Sequence, residues 1–197
     1  MTHSETLNDL LKENNGYLKT SDAVASGISR TTLGDFVRKH GLERVAHGLY
    51  MSQEAWVDEL FVIQVRYPEA VFSHETALYL LDLANREPLS LSITMKTGKN
   101  SAELSKQGIK VYKVNEALFG EGIIDRRSPS GNTVRAYNAE RTICDLFRSR
   151  RNIEVQVLHE AVQTYILRKG KNIPLLMMYA KAFSVEKIVR QYLEVLL

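Results

Sequence analysis

The chain has 197 residues, 44% of them hydrophobic and 25% charged, with one cysteine and a formal net charge of +3. This composition builds one globular domain or two small ones around an ordinary core. It excludes a disulfide scaffold and a Cys/His zinc site. No stretch approaches the ~18 apolar residues of a membrane span, and the polar start Met1-Thr2-His3-Ser4-Glu5 leads into no apolar leader. The expectation is a cytoplasmic protein with no membrane partner.

The charge balance does not mark a nucleic-acid binder, because residues 1–52 carry six cations against six anions. Any DNA site must come from local placement of charge. The first helix is predicted from about Glu5 to Asn14, capped by Ser4, with Leu7, Leu10 and Leu11 on one face. Asn15-Gly16 ends it, and Tyr17-Leu18 bridges to a helix over Ser21–Ser26, capped by Thr20. After Gly27-Ile28-Ser29, a third helix is predicted over Arg30–His40, with Leu33, Phe36 and Val37 inward. Leu42–Val45 and Gly48–Met51 read as two short strands. Two helices joined by a tight turn, then a hairpin, is the winged helix-turn-helix order.

A helical pattern from Gln53 to Tyr67 puts Trp56, Leu60 and Ile63 on one face and stops at Pro68. It reads as a stiff connector over 53–69, dividing a winged domain (1–52) from a second domain (70–197). The second half mixes elements. A helix is expected over His74–Asp82 with Ser73 as cap, a strand over Leu89–Lys96, a strand over Ile109–Val114, and a hairpin of Ile123-Ile124 with Thr133–Tyr137. Helices are expected over Ala139–Arg148, Ile153–Leu167, Leu175–Ala182 and Val185–Val195. The fold class is α+β: an N-terminal winged helix-turn-helix followed by a mixed α/β domain with a helical C-terminal end.

The third helix carries the best candidate chemistry. Arg30 near its start suits a guanine edge, Ser29, Thr31 and Thr32 suit phosphates or a thymine methyl, and Arg38 and Lys39 lie near its end. Arg44 and His47 would stand in the wing. Against this, Ser29 and Thr32 have a purely capping reading, and Arg38 and Lys39 one as complements to the helix dipole. Two basic clusters follow: Arg148, Arg150 and Arg151 at one helix end, and Arg168, Lys169 and Lys171 at the next. They are separated by a helix of about 22 Å and read either as dipole complements or as a basic surface for a partner. His74 beside Glu75 reads as a hydrogen-bonded residue at a helix start. Cys144 on an apolar helix reads as a buried small hydrophobe. Glu116, Glu121 and Asp125 are loop charges, although a metal-dependent nuclease would draw on such a set. No phosphate-binding glycine loop occurs, and no cofactor, metal or catalytic residue is expected.

Three stretches then point to a family: Gly16-Tyr17-Leu18-Lys19-Thr20, Gly27-Ile28-Ser29-Arg30-Thr31-Thr32-Leu33, and Gly41-Leu42-Glu43-Arg44-Val45-Ala46-His47-Gly48-Leu49-Tyr50. They resemble the N-terminal domain of the AbiEi antitoxins of type IV toxin–antitoxin, abortive-infection systems. Ser73–Leu78, the strand Leu89–Lys96, Gly108–Val111 and Ala139–Leu146 look like that family's C-terminal domain. The resemblance implies a non-enzymatic phage-defence protein with two jobs. Its winged helix would bind inverted repeats in its own promoter and repress the operon. Its second domain would counteract a nucleotidyltransferase-like toxin without a stable complex. The DNA readers implied are Ser29, Arg30, Thr31 and Thr32, flanked by Arg38 and Lys39, with Lys19 and Thr20 on phosphate and Arg44 and His47 in the wing. The implied antitoxicity surface would include Glu140-Arg141-Thr142 or the basic clusters. Arg141 and Asp145, at i and i+4, also suit a structural ion pair. A ligand-sensing repressor unrelated to toxins is the alternative.

Overall fold

A computed structural model describes residues 2–196. The first helix begins earlier than Ser4 suggests. Thr2 and Glu5 form a reciprocal cap, the Thr2 hydroxyl accepting from Glu5 N–H at 3.3 Å and the Glu5 carboxylate from Thr2 N–H at 2.7 Å. This starts α1 (His3–Glu13). Gly16 then turns the chain at φ +85, where a Cβ would lie 2.6 Å from the Ala55 Cβ. The bridge that follows is a strand, β1 (Tyr17–Lys19), and it leads into α2 (Thr20–Ala25). Gly27, at φ +79, makes the tight turn to α3 (Arg30–Lys39). A hairpin of β2 (Glu43–Ala46) and β3 (Leu49–Met51) completes the order. The strands lie antiparallel as β1-β3-β2, with Tyr17 opposite Met51 and Glu43 on the other side of Met51. Leu7, Leu18, Ala23, Ile28, Leu33 and Phe36 form the core beneath them.

The helical pattern from Gln53 is realised only as α4 (Glu59–Arg66). The Asp58 carboxylate caps it by accepting from Phe61 N–H at 3.1 Å. Upstream, the buried Tyr17 hydroxyl donates to the Trp56 carbonyl at 3.2 Å and accepts from Asp58 N–H at 2.7 Å, which holds the segment open. Trp56, expected on the inner face, is 89% exposed.

The chain divides into two compact units, Met1–Pro68 with Arg127–Val134, and Glu69–Arg126 with Arg135–Leu197. Within the first, the segment 127–134 is held by Asp58. Its Oδ2 accepts from the Ser128 hydroxyl at 2.5 Å and from the Asn132 amide at 2.7 Å. Asn15 donates to Asn132 Oδ1 at 3.2 Å.

The second unit continues with β4 (Val71–Phe72), α5 (His74–Leu80), β5 (Ser92–Lys96), α6 (Ala102–Lys106), β6 (Lys110–Val114), α7 (Glu116–Phe119), β7 (Ile123–Arg127) and β8 (Thr133–Tyr137). It ends in α8 (Ala139–Arg148), α9 (Val155–Leu167), α10 (Ile173–Ala182) and α11 (Glu186–Leu196). The sheet order is β6-β5-β4-β8-β7. β4 is central, antiparallel to β5 and parallel to β8, and β5 is parallel to β6. β8 leads into α8, whose buried residues Ile143, Cys144, Leu146 and Phe147 join Leu78, Leu158, Val162 and Leu176 in the core. The class is α+β, with a winged N-terminal region and a helical C-terminal end. Among the described residues no helix is long and apolar enough to cross a membrane.

Candidate nucleic-acid interface

α3 stands on the core through Leu33 and Phe36, which leaves Arg30, Thr31, Arg38 and Lys39 exposed. Its start is fixed by Ser29, whose hydroxyl accepts from Thr32 N–H at 3.1 Å and lies 2.9 Å from the Thr32 hydroxyl. The capping reading of these two residues therefore holds, and only one hydroxyl hydrogen of the pair is left for an outside acceptor. At the far end Arg38 is ion-paired with Asp35.

The wing is shaped by a register shift between Arg44 and Ala46 in β2. Arg44 folds back on the turn, with Nε donating to the Ala46 carbonyl at 3.4 Å and Nη2 to Nδ1 of His47 at 2.9 Å. The backbone joins this wing to α2, since Thr20 N–H donates to the Gly48 carbonyl at 2.8 Å. Lys19 sets its ammonium 4.8 Å above the centre of the Phe61 ring.

These elements enclose one cleft of about 400 Å³, lined by Lys19, Thr20, Ser21, Arg30, Leu33, Arg44, His47, Gly48, Tyr50 and Val65. It contains three cations and no carboxylate. Five of the ten residues singled out as DNA contacts thus meet in one place: Lys19, Thr20, Arg30, Arg44 and His47. Ser29, Thr31, Thr32, Arg38 and Lys39 do not line the cleft.

In the second unit, Arg148, Arg150 and Arg151 line a small cleft with Ser149 and Asn152. Arg168 is engaged elsewhere, its Nη2 donating to the Leu81 carbonyl and to the Asp82 carbonyl at 3.2 Å, beyond the end of α5. Lys169 and Lys171 are exposed. Glu116 is ion-paired with Lys96, and the Glu121 carbonyl accepts from Arg141 at 2.9 Å. Among the described residues, no group of three or more His, Cys, Asp or Glu is placed to hold a metal ion.

A buried polar network in the second unit contains the expected Arg141–Asp145 ion pair and the expected hydrogen-bonded His74, and its depth of burial is the new finding. Arg141 is fully buried between the rings of Tyr137 (4.1 Å) and Phe183 (4.0 Å). Its Nε donates to Asp145 Oδ2 at 3.0 Å, and Nη1 donates to the carbonyls of Leu118 (2.7 Å) and Glu121 (2.9 Å). Burial raises the Asp145 carboxyl to about 6, against the pull of Arg141. His74, 2% exposed at φ +49, is stacked 3.4 Å from the Tyr112 ring. Burial, helped by the charges of Arg141 and Arg148, holds its ring down at about 3. Burial likewise lifts the Cys144 thiol to about 12, consistent with an inert thiol. The i, i+4 spacing of Arg141 and Asp145 was a usable signal for the pair, but nothing in the sequence marks its burial.

A helix-turn-helix whose exposed second helix shares a cationic cleft with a hairpin wing defines the class: a winged helix-turn-helix protein with an appended α+β domain. Residues 5–53, about a quarter of the chain, match the family model described as "Transcriptional regulator, AbiEi antitoxin". The match covers the winged region, from α1 to just past β3, and is a likeness of that region to the AbiEi antitoxin regulators. In fold the chain is similar to the RV2827C protein from Mycobacterium tuberculosis, with a TM-score of 0.58 at 11% identity, over 90% of this chain and 70% of that one. At that identity the likeness is one of fold. No curated protein shows significant sequence similarity to the chain.

Proposed function

We propose that the protein is a DNA-binding autorepressor and antitoxin. In this reading its winged helix occupies inverted repeats in its own promoter, and its second domain counteracts a nucleotidyltransferase-like toxin without forming a stable complex with it. The observation that carries the DNA-binding half is the cleft between α3 and the wing, where Lys19, Arg30 and Arg44 converge with no carboxylate among them. Arg30 is the candidate base reader, as an exposed arginine at the start of the helix that enters a major groove in this class. Lys19, Thr20, Arg44 and His47 are the candidate phosphate contacts, with Ser29, Thr31, Thr32, Arg38 and Lys39 around them. The antitoxin half rests on the family match and on the resemblance of the second domain. No step of it calls for a catalytic group.

The test separates the two jobs in one chain. The Arg30→Ala/Arg44→Ala variant is expected to lose repression of a promoter reporter while still rescuing growth when co-expressed with the toxin encoded beside it. Retained repression would remove the winged helix as the operator reader. Loss of rescue by this folded variant would refute the division of labour.

A further inference from the structure

We propose that the cleft formed by Arg148, Ser149, Arg150, Arg151 and Asn152 is a binding site for a small oligophosphate, such as the phosphate chain of a nucleotide. All five lining residues are polar, three are arginines and none is a carboxylate, around a volume of about 310 Å³. That is the low end of the size range of small-molecule sites. The helix-end reading accounts for too little of this charge. The C-terminus of α8 carries about half a negative charge, and a single contact, Arg150 Nη1 to the Phe147 carbonyl at 3.0 Å, already serves its last turn. Arg168, near the end of α5, shows the committed alternative, with one nitrogen shared between two carbonyls.

The loop is also held from beneath. Asn152 N–H donates to the Ser149 carbonyl at 2.8 Å, closing the turn. The Ser149 hydroxyl lies 3.0 Å from Nε2 of the buried His74, and His74 Nδ1 lies 3.0 Å from the Ser73 hydroxyl, which accepts from Thr94 at 2.8 Å. In the arrangement where Thr94 donates to Ser73 and Ser73 to Nδ1, Nε2–H is directed at Ser149, and the Asp145 carbonyl is a further acceptor for the ring. The Ser149 hydroxyl hydrogen is then free to be donated outward. A buried chain of side chains thus holds Ser149 in the cleft that three arginines line, Arg148 among them with its guanidinium 6.0 Å from the centre of the Phe183 ring, and guanidinium and hydroxyl donors are the groups that bind phosphate oxygens. A single four-residue turn favours a compact ligand over a duplex, whose phosphates need cations spread along its length. The inference stands independently of the winged-helix reading.

The experiment is calorimetric titration of the full chain with inorganic tripolyphosphate at low salt. Saturable binding is expected, at least about tenfold weaker in Arg150→Ala/Arg151→Ala, as for lost charged hydrogen bonds, and unchanged in Arg30→Ala/Arg44→Ala. Both positions of the first pair are exposed, and matched thermal melts confirm that the variant is folded. Absence of binding, or equal affinity in Arg150→Ala/Arg151→Ala, overturns the proposal. So does loss of binding in Arg30→Ala/Arg44→Ala, which would place the anion at the wing. Weakened binding of duplex DNA by Arg150→Ala/Arg151→Ala, with tripolyphosphate affinity intact, would reassign the cleft to nucleic acid and equally refute it.

Discussion

The guanidinium of Arg44 donates to Nδ1 of His47 across 2.9 Å, at the tip of a hairpin whose register shifts between Arg44 and Ala46. Because arginine has no acceptor, Nδ1 must accept, and the ring proton sits on Nε2. His47 therefore orients Arg44 and leaves an N–H of its own facing out. Arg44→Ala is expected to weaken operator binding equally for all sequences and to reduce the slope of log affinity against log salt by about one. His47→Ala should cost less affinity and leave that slope within about half a unit. Fluorescence anisotropy across a salt series measures both. An unaltered slope in Arg44→Ala would place the wing off the phosphate backbone.

Arg30 and Arg38 lie on the same helix in different surroundings. Arg30 lines the cleft without a carboxylate partner there, whereas Arg38 is paired with Asp35. Arg30→Ala should weaken operator binding by about 1–3 kcal/mol and relax preference at one base position. Arg38→Ala should change it by less than about 1 kcal/mol, the value of an exposed pair. Equal losses at the two positions would argue against readout from the start of α3.

Asp58 is 3% exposed and accepts from Phe61 N–H, Ser128 and Asn132. Asp58→Ala removes a helix cap and strands two buried donors, so a loss of about 3 kcal/mol in urea unfolding is expected. A loss under about 1 kcal/mol would mean that water replaces the carboxylate without cost.

Arg141→Met leaves the Asp145 carboxyl in the core without its partner, and a cost of about 3–5 kcal/mol is expected at pH 7.5. The cost should shrink near pH 5, because burial, no longer opposed by Arg141, raises the Asp145 carboxyl further in the variant and protonation removes the stranded charge. Equal costs at the two pH values would show that the charge of Asp145 plays no part.

His74 and Asp145 push acid stability in opposite directions. The ring value of about 3 lies below the ordinary 6.5, so the unfolded chain takes up a proton that the fold refuses. The contribution of His74 is full above about pH 6.5 and falls as the pH drops toward 3. The raised value of Asp145 works the other way between its ordinary 3.8 and about 6. Comparing the native chain with His74→Asn, which keeps a side chain tolerant of the left-handed backbone, isolates the first effect. The difference in unfolding free energy should narrow as the pH falls from 6.5 to 4. A constant difference would mean that the ring takes up its proton equally in both states.

What was legible in the sequence followed from periodicity and capping. α3, with Ser29 ahead of Leu33 and Phe36, and α8, over Ala139–Arg148, lie where the pattern puts them. The elements not foreseen are too short to show a period. β1 has three residues, α7 has four, and β4, at the centre of its sheet, has two. Trp56 marks another limit, because apolar spacing alone cannot tell an inner face from a segment held open by the Tyr17 hydroxyl. Of the candidate contacts, the convergence of Lys19 from β1 with Arg44 from the wing depends on strand pairing, which no local pattern encodes. The burial of Arg141 and His74 is opaque for a related reason: charged and polar letters read as surface until their partners are known.

The tip of the second hairpin, residues 127–134, completes the unit that contains the winged helix by covering Asp58. A fragment cut after Pro68 would leave that carboxylate without Ser128 and Asn132. Grafting the winged region onto another protein would mean importing a short downstream peptide along with it, so the two halves of this gene are not interchangeable cassettes.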